Sequence, residues 1–188
     1  FGIDEPDLTK IYFFIGPPLI DTFMNHYGFS RDQAVEAVAV YRERYHKVGI
    51  FECSLYPGVK ECIEELKRQG YMIGMASSKP EESCRRILEH FGILGLFDDV
   101  VGATMDGRID TKEEVLNEVM RRWSEIPKEE MCLIGDTMFD IDGANMVGVP
   151  SIAVSFGFGD VDEMVGAGAK AVIDDIRQLP DVLLKLFD

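Results

Sequence analysis

From residue 58 onward the sequence alternates between two hydrophobic rhythms, and this alternation constrains the fold more than any single motif does. Short apolar runs stand at 71–76, 99–103, 131–135, 151–155 and 171–173. Between them lie segments with apolar residues at helical spacing. The first carries Val59, Cys62, Ile63 and Leu66, the second Cys84, Ile87, Leu88 and Phe91, and the third, over 112–123, Val115, Leu116 and Val119; further helices read at 140–147, 160–167 and 176–187. Continuous short runs bounded by Gly or Pro read as buried strands, and the amphipathic segments read as helices. Regular strand–helix alternation predicts an α/β protein with a parallel sheet and helices on both faces. Such sheets bind ligands beyond the carboxyl ends of their strands, so the residues following each strand are where function is sought.

The first third has a different grammar. Leu19, Ile20, Phe23, Met24 and Tyr27 follow helical spacing after Pro17-Pro18. Tyr27-Gly28-Phe29 closes that helix, and Ser30 suits the N-cap of the next. The second helix has Val35, Val38 and Ala39 as its apolar stripe and Arg42, Glu43, Arg44 and Lys47 on its other face. A helical unit over 1–54 followed by a sheet core over 55–188 is the expected organisation.

Composition enters as a filter on partners. The 188 residues suit one domain, or one domain with an insert. Nineteen Lys and Arg against 34 Asp and Glu give a net charge of −15. That balance disfavours nucleic acid and anionic membrane surfaces, and an anionic ligand would need local cations. Cys53, Cys62, Cys84 and Cys132 form no C-x-x-C pair, so free thiols in a reducing, cytoplasmic compartment are expected and no zinc cluster. The longest apolar stretch, 11–20, is interrupted by Gly16-Pro17-Pro18 and is too short to span a bilayer. Oligomeric state is not legible.

Three strand ends carry chemistry. Ser77, Ser78 and Lys79 follow the first strand and precede Pro80 at a helix start, a combination of hydroxyls, cation and open backbone N–H groups that suits a phosphate. A serine that only caps the helix is the plainer alternative. After the second strand comes the turn Thr104-Met105-Asp106-Gly107-Arg108, with Lys112 at the next helix start, against the usual dipole preference. A solvated lysine is the alternative there. After the third, Asp136 sits at the strand end and Asp140 in the first turn of the next helix, a pair of carboxylates suited to Mg²⁺ or to helix capping alone. One strand–helix unit separates each signal from the next, so all three open on the same sheet edge.

With these residues in view, the sequence resembles the haloacid dehalogenase superfamily of phosphatases, and most of all its phosphoglycolate phosphatase-like branch with a helical cap, which includes bacterial nucleotidases. The resemblance rests on Ile15-Gly16-Pro17-Pro18-Leu19, Tyr56-Pro57-Gly58-Val59, Ala76-Ser77-Ser78-Lys79-Pro80, Asp106-Gly107-Arg108 with Lys112, and the stretch from Gly135-Asp136-Thr137-Met138-Phe139-Asp140 through Ile141-Asp142-Gly143-Ala144. It implies a Rossmann-like parallel core with an α-helical cap. It further implies that Ser77, with Ser78 and Lys79, holds phosphoryl oxygens, that Lys112 neutralises charge on nucleophile and phosphoryl group, and that Asp136 binds Mg²⁺. Asp140 would support the metal directly or from behind. The implied activity is Mg²⁺-dependent hydrolysis of a small phosphorylated metabolite, of the phosphoglycolate or nucleoside monophosphate type.

One departure stands out. The family's first motif, an apolar strand ending in Asp-x-Asp-Gly-Thr, does not occur in these 188 residues. Its first Asp is the nucleophile that becomes an aspartyl phosphate, and its second is the general acid/base. Asp140-Ile141-Asp142-Gly143 spells a similar string, but the apolar run before it ends at Asp136 instead. The chain begins with Phe1, and in relatives the motif precedes the matching position. The expectation is a first core strand upstream of Phe1, with these 188 residues inactive alone for want of a nucleophile. A phosphomutase is a second enzymatic reading. A halide-releasing dehalogenase is less favoured, because that chemistry uses no Mg²⁺. From another class, a catalytically silent phosphate- or metal-binding module remains.

Overall fold

A computed structural model describes residues 1–15, 17–104, 106 and 108–187. Expectations that fall on Gly16, Met105 and Gly107 lie outside the described residues. The chain divides into two compact units, Phe1–Glu52 and Cys53–Asp188.

The first unit is helical. A 3-10 segment, Leu8–Phe14, precedes α1 (Leu19–Tyr27) and α2 (Arg31–Lys47). Gly28, at φ 67°, turns the chain out of α1 with its N–H on the Met24 carbonyl. The Ser30 hydroxyl then accepts the Gln33 N–H while the Gln33 side chain accepts that of Ser30, a reciprocal cap for α2. Ala34, Ala37 and Val38 are buried, whereas Val35 is half exposed. The inward face of α2 is thus rotated from the Val35–Val38–Ala39 stripe read in the sequence, since small side chains at 34 and 37 let α1 pack close to the α2 backbone. Phe14, Phe23, Tyr27 and Phe29 form a chain of ring contacts at 5.1–6.2 Å.

The second unit is α/β. Its elements run α3 (Val59–Arg68), β1 (Gly74–Pro80), α4 (Glu81–His90), β2 (Asp99–Ala103), α5 (Lys112–Arg122), β3 (Leu133–Gly135), α6 (Met138–Val147), β4 (Ser151–Val154), α7 (Val161–Gly166), β5 (Ala171–Ile173) and α8 (Leu179–Phe187). Every strand pairing is parallel. Side chains alternate across each strand and meet helices on both sides. On β2, Val100 packs with Cys84, Leu88 and Ile93, while Val101 packs with Val115 and Val119. On β4, Ile152 and Val154 join Cys62, Leu66, Leu179 and Leu183, while Ala153 joins Ile141 and Met164. This is the arrangement the alternating rhythm predicts.

Two details differ from the sequence reading. The ladder of β1 starts at Gly74, not at residue 71, because the Tyr71 N–H closes the turn after α3 on Leu66 O and the Ile73 N–H goes to the Asp98 carboxylate. Its pairing with β2 then jumps from Ser77↔Gly102 to Pro80↔Ala103, which bulges Ser78 and Lys79 out of the strand. Second, the strands form two sheets, β1-β2 and β3-β4-β5. Met75, Ala76, Leu133 and Ile134, on the two strands with one ladder partner each at the break, are only half-buried, whereas every residue of β4 is buried.

Among the described residues no helix is long and apolar enough to cross a membrane. The four cysteines are free thiols; Cys62 and Cys84 are buried, and burial pushes the half-buried Cys132 thiol up to about 12.

Candidate active site

The carboxyl ends of β1 and β3 converge on one side chain. Lys112 is the first residue of α5, and α5 begins there because Thr111 caps it. The Thr111 hydroxyl accepts the Glu114 N–H at 3.2 Å, and the Glu114 carboxylate accepts the N–H groups of Thr111 and Asp110 at 3.0 and 2.9 Å. Those backbone donors hold the Glu114 carboxyl below its ordinary range. From this fixed start the Lys112 side chain, 16% exposed, runs inward. Its Nζ donates to Ala76 O on β1 at 3.0 Å and pairs with Asp140 Oδ1 at 2.8 Å. A Cβ at position 143 would stand 2.5 Å from Lys112 Cγ, so only glycine lets α6 accept the lysine stem there.

Asp140 is buried and fully engaged. Besides Lys112 on Oδ1, its Oδ2 accepts the N–H groups of Asp136 and Thr137 and the Thr137 hydroxyl, at 3.2, 3.1 and 2.9 Å. This carboxylate therefore ties the end of β3 to Lys112. Asp136 itself is half-buried at the β3 end; its Oδ2 accepts the Phe158 N–H at 3.1 Å, and its carbonyl accepts the Gly159 N–H at 2.8 Å. Ser77 is half-buried next to Ala76, with its hydroxyl accepting the Lys79 N–H at 3.1 Å. Burial raises the Cys84 thiol beneath it, against a hydrogen bond to Ser77. Ser78 and Lys79 are exposed on the bulge.

Contacts thus run from Ala76 O through Lys112 and Asp140 to the backbone of Asp136, joining segments that are separate in sequence, while Ser77 is tied to this chain only as the residue after Ala76. The misfit of a lysine at a helix N-terminus resolves into an ion pair in a partly desolvated setting. Among the described residues, Ala76 O and Asp140 Oδ1 engage two of the three ammonium protons. The sequence alone gave no role to Thr111 or to 156–159, and it gave Gly143 only as part of a motif. A Gly-x-Gly directly after a strand was the available signal for 156–159. The turn around Asp106 is separate in its bonding: Arg108 pairs with Asp106 at 2.6 Å, and hydrogen bonds from Thr104 and Arg108 hold that carboxyl at about 2. In the helical unit Arg44 is held by Glu52 through two contacts of 2.7 Å.

The arrangement also bears on which ions the residues could hold. Among the described residues no group of three His, Cys, Asp or Glu side chains is placed to hold a metal. Asp136 offers a single carboxylate, with Oδ1 free of hydrogen bonds among the described residues. One oxygen donor suits a hard cation that keeps water and takes further ligands from a phosphate, and it does not suit zinc.

The family model described as haloacid dehalogenase-like hydrolase matches residues 1–154. The chain belongs to this family. Proteins similar to it include a 5'-nucleotidase of Pseudomonas aeruginosa, 40% identical over 97% of this chain and 82% of its own length. The tyrosine-protein kinase PtkA of Mycobacterium tuberculosis is 32% identical over 94% of this chain and 62% of its own length. Among solved haloacid dehalogenase-like structures, one described as a predicted phosphatase from Clostridium acetobutylicum superposes with a TM-score of 0.90 at 35% identity, covering 97% of this chain and 84% of that one.

Proposed function

We propose that the full-length protein is a phosphomonoester hydrolase acting on a small phosphorylated metabolite, a nucleoside monophosphate ahead of phosphoglycolate. The single observation that carries this reading is the Lys112 bridge between the β1 end and Asp140. It sets a cation against Ala76, which Ser77 follows in the chain, and against the carboxylate that accepts the Asp136 N–H, and a cation, a hydroxyl and an acid are what a phosphoryl site calls for. The 40% identity to a 5'-nucleotidase favours the nucleotide over phosphoglycolate.

In this reading Ser77, with Ser78 and Lys79 on the bulge, binds phosphoryl oxygens. Lys112 compensates charge on the phosphoryl group. Asp136 holds Mg²⁺, which when bound would neutralise charge on the transferring phosphate. Asp140 acts through Lys112 and the Asp136 backbone, orienting both. The nucleophile is an Asp at the carboxyl end of a further strand lying between β1 and β3; the single-sided pairing and half-burial of those two strands support that placement. Its carboxylate attacks phosphorus and displaces the alcohol, which takes a proton from a second Asp. Water then hydrolyses the aspartyl phosphate and regenerates the carboxylate. The helical unit Phe1–Glu52 takes the role of the helical cap in this reading.

The test is phosphate release by the full-length protein from a panel of nucleoside 5'-monophosphates and phosphoglycolate. Release that stops with EDTA and returns with Mg²⁺ supports the reading. Release indifferent to chelation removes the metal role of Asp136, and no release from any monoester favours the silent binding module.

A further inference from the structure

The segment 155–159 joins β4 to α7 and folds over Asp136. Its start is fixed by the Ser155 N–H on Ile173 O at 2.9 Å, which continues the pairing toward β5. Its end is fixed by Asp160, whose carboxylate caps α7 through the N–H groups of Asp162 and Glu163. Between these anchors the Phe156 ring meets Tyr56 edge-on with centroids 5.0 Å apart. The remaining three residues lie against Asp136. A Cβ at position 157 would stand 2.2 Å from Asp136 Cβ and 2.4 Å from its Oδ2; one at position 159 would stand 2.4 Å from Asp136 O and 2.9 Å from Thr137 Cα. At 159 the contacting atoms are backbone and cannot swing aside, and at 157 they are Cβ, Cγ and Oδ2 of Asp136, so a Cβ there would displace the carboxylate itself.

We propose that this turn is a backbone clamp that sets the direction of the Asp136 carboxylate, with Gly157 and Gly159 as positioning residues of the cation site. The Phe158 N–H occupies Oδ2 and the Gly159 N–H holds the Asp136 carbonyl, so Oδ1 is the oxygen presented to a cation, as a single-oxygen donor. A carboxylate fixed in this way suits the strict octahedral demand of Mg²⁺ better than a freely rotating one. The contact that Phe158 makes with the Asp136 carboxylate is through its main-chain N–H, and its side chain is 56% exposed. This inference rests on the metal role proposed for Asp136.

The experiment is Mn²⁺ binding to the full-length protein without substrate, read by electron paramagnetic resonance. The parent is compared with Asp136→Asn, Gly157→Ala, Gly159→Ala, Phe158→Ala and Gly166→Ala, the last at a position where an added Cβ meets nothing within 4 Å. Gly157→Ala and Gly159→Ala are expected to weaken Mn²⁺ binding by at least about tenfold, while Phe158→Ala and Gly166→Ala stay within about twofold of the parent. Folded Gly157→Ala and Gly159→Ala proteins that bind like the parent, or a Phe158→Ala loss as large as theirs, overturn the clamp. If either glycine variant does not fold, an Mg²⁺ titration of the ¹⁵N-labelled parent decides. The Phe158 and Gly159 amide signals must shift with the same saturation curve as Asp136, and static signals overturn the proposal. Asp136→Asn binding Mn²⁺ as the parent does would defeat the metal reading itself, a result separate from failure of the glycine variants alone.

Discussion

A single ion pair governs the chemistry proposed here. Lys112 and Asp140 are 16% and 12% exposed, so each charge depends on the other for compensation. Removing one partner of a buried pair costs on the order of 3 kcal/mol, because the remaining charge is left without a counterion. Lys112→Ala is therefore expected to lower unfolding free energy by about that amount in denaturant melts, in addition to abolishing turnover. Lys112→Met with Asp140→Asn together should cost less than the sum of the two singles; additive losses would mean that the pair is not coupled. A contrasting residue is Ser151, whose buried hydroxyl has no hydrogen-bond partner among the described residues. Ser151→Ala is expected to leave stability unchanged or raise it by up to about 1 kcal/mol, since no bond is lost and one buried polar group is removed.

At the level of elements, helix starts and turn closures place the functional side chains. Thr111→Ala removes the cap that fixes where α5 begins, and should cost about 1 kcal/mol in thermal or chemical unfolding. An unchanged midpoint would detach the cap from the stability of α5. The turn between α3 and β1 depends on Asp98, which pairs with Lys67 at 2.6 Å and accepts the Ile73 N–H at 2.7 Å. Burial acts to raise the Asp98 carboxyl, but Lys67 and the Ile73 N–H outweigh it and the net shift is downward. A lowered folded-state value means that the contribution is full above the ordinary value of 3.8 and is lost as pH falls through the folded value. Asp98→Asn should thus reduce stability at pH 7 and cost progressively less as pH falls below 3.8; a loss that does not change with pH would assign the effect to packing. The same elements show what a sequence discloses. The order of strands and helices was legible, because each has its own apolar period. The start of β1 was not, since hydrogen bonds from residues 71 and 73 to Leu66 and Asp98 are tertiary choices. The inward face of α2 was misjudged because Ala34 and Ala37 carry little hydrophobic signal yet permit the closest packing. Lys112 was visible only as a misfit, and the partner that explains it, Asp140, is one fold unit away.

For the molecule as a whole, the two sheets and the net charge of −15 frame the same question. An acidic protein can bind a phosphate dianion only where fixed cations, a divalent ion and backbone donors are concentrated, and Lys112, Ser77 and Asp136 are the residues proposed for that role. If a further strand lies between β1 and β3 in the full-length protein, alternate amides of β1 that point away from β2 should be protected from hydrogen exchange to the same degree as those of β4. Exchange at the rate of open edges would exclude that strand. The central claim, that these side chains form one phosphoryl-transfer site, is tested most directly by the rate of phosphate release from a nucleoside 5'-monophosphate by the full-length protein and its folded Asp136→Asn variant at saturating Mg²⁺. The account predicts a loss of at least about 100-fold in the variant; a variant as fast as the parent would contradict it.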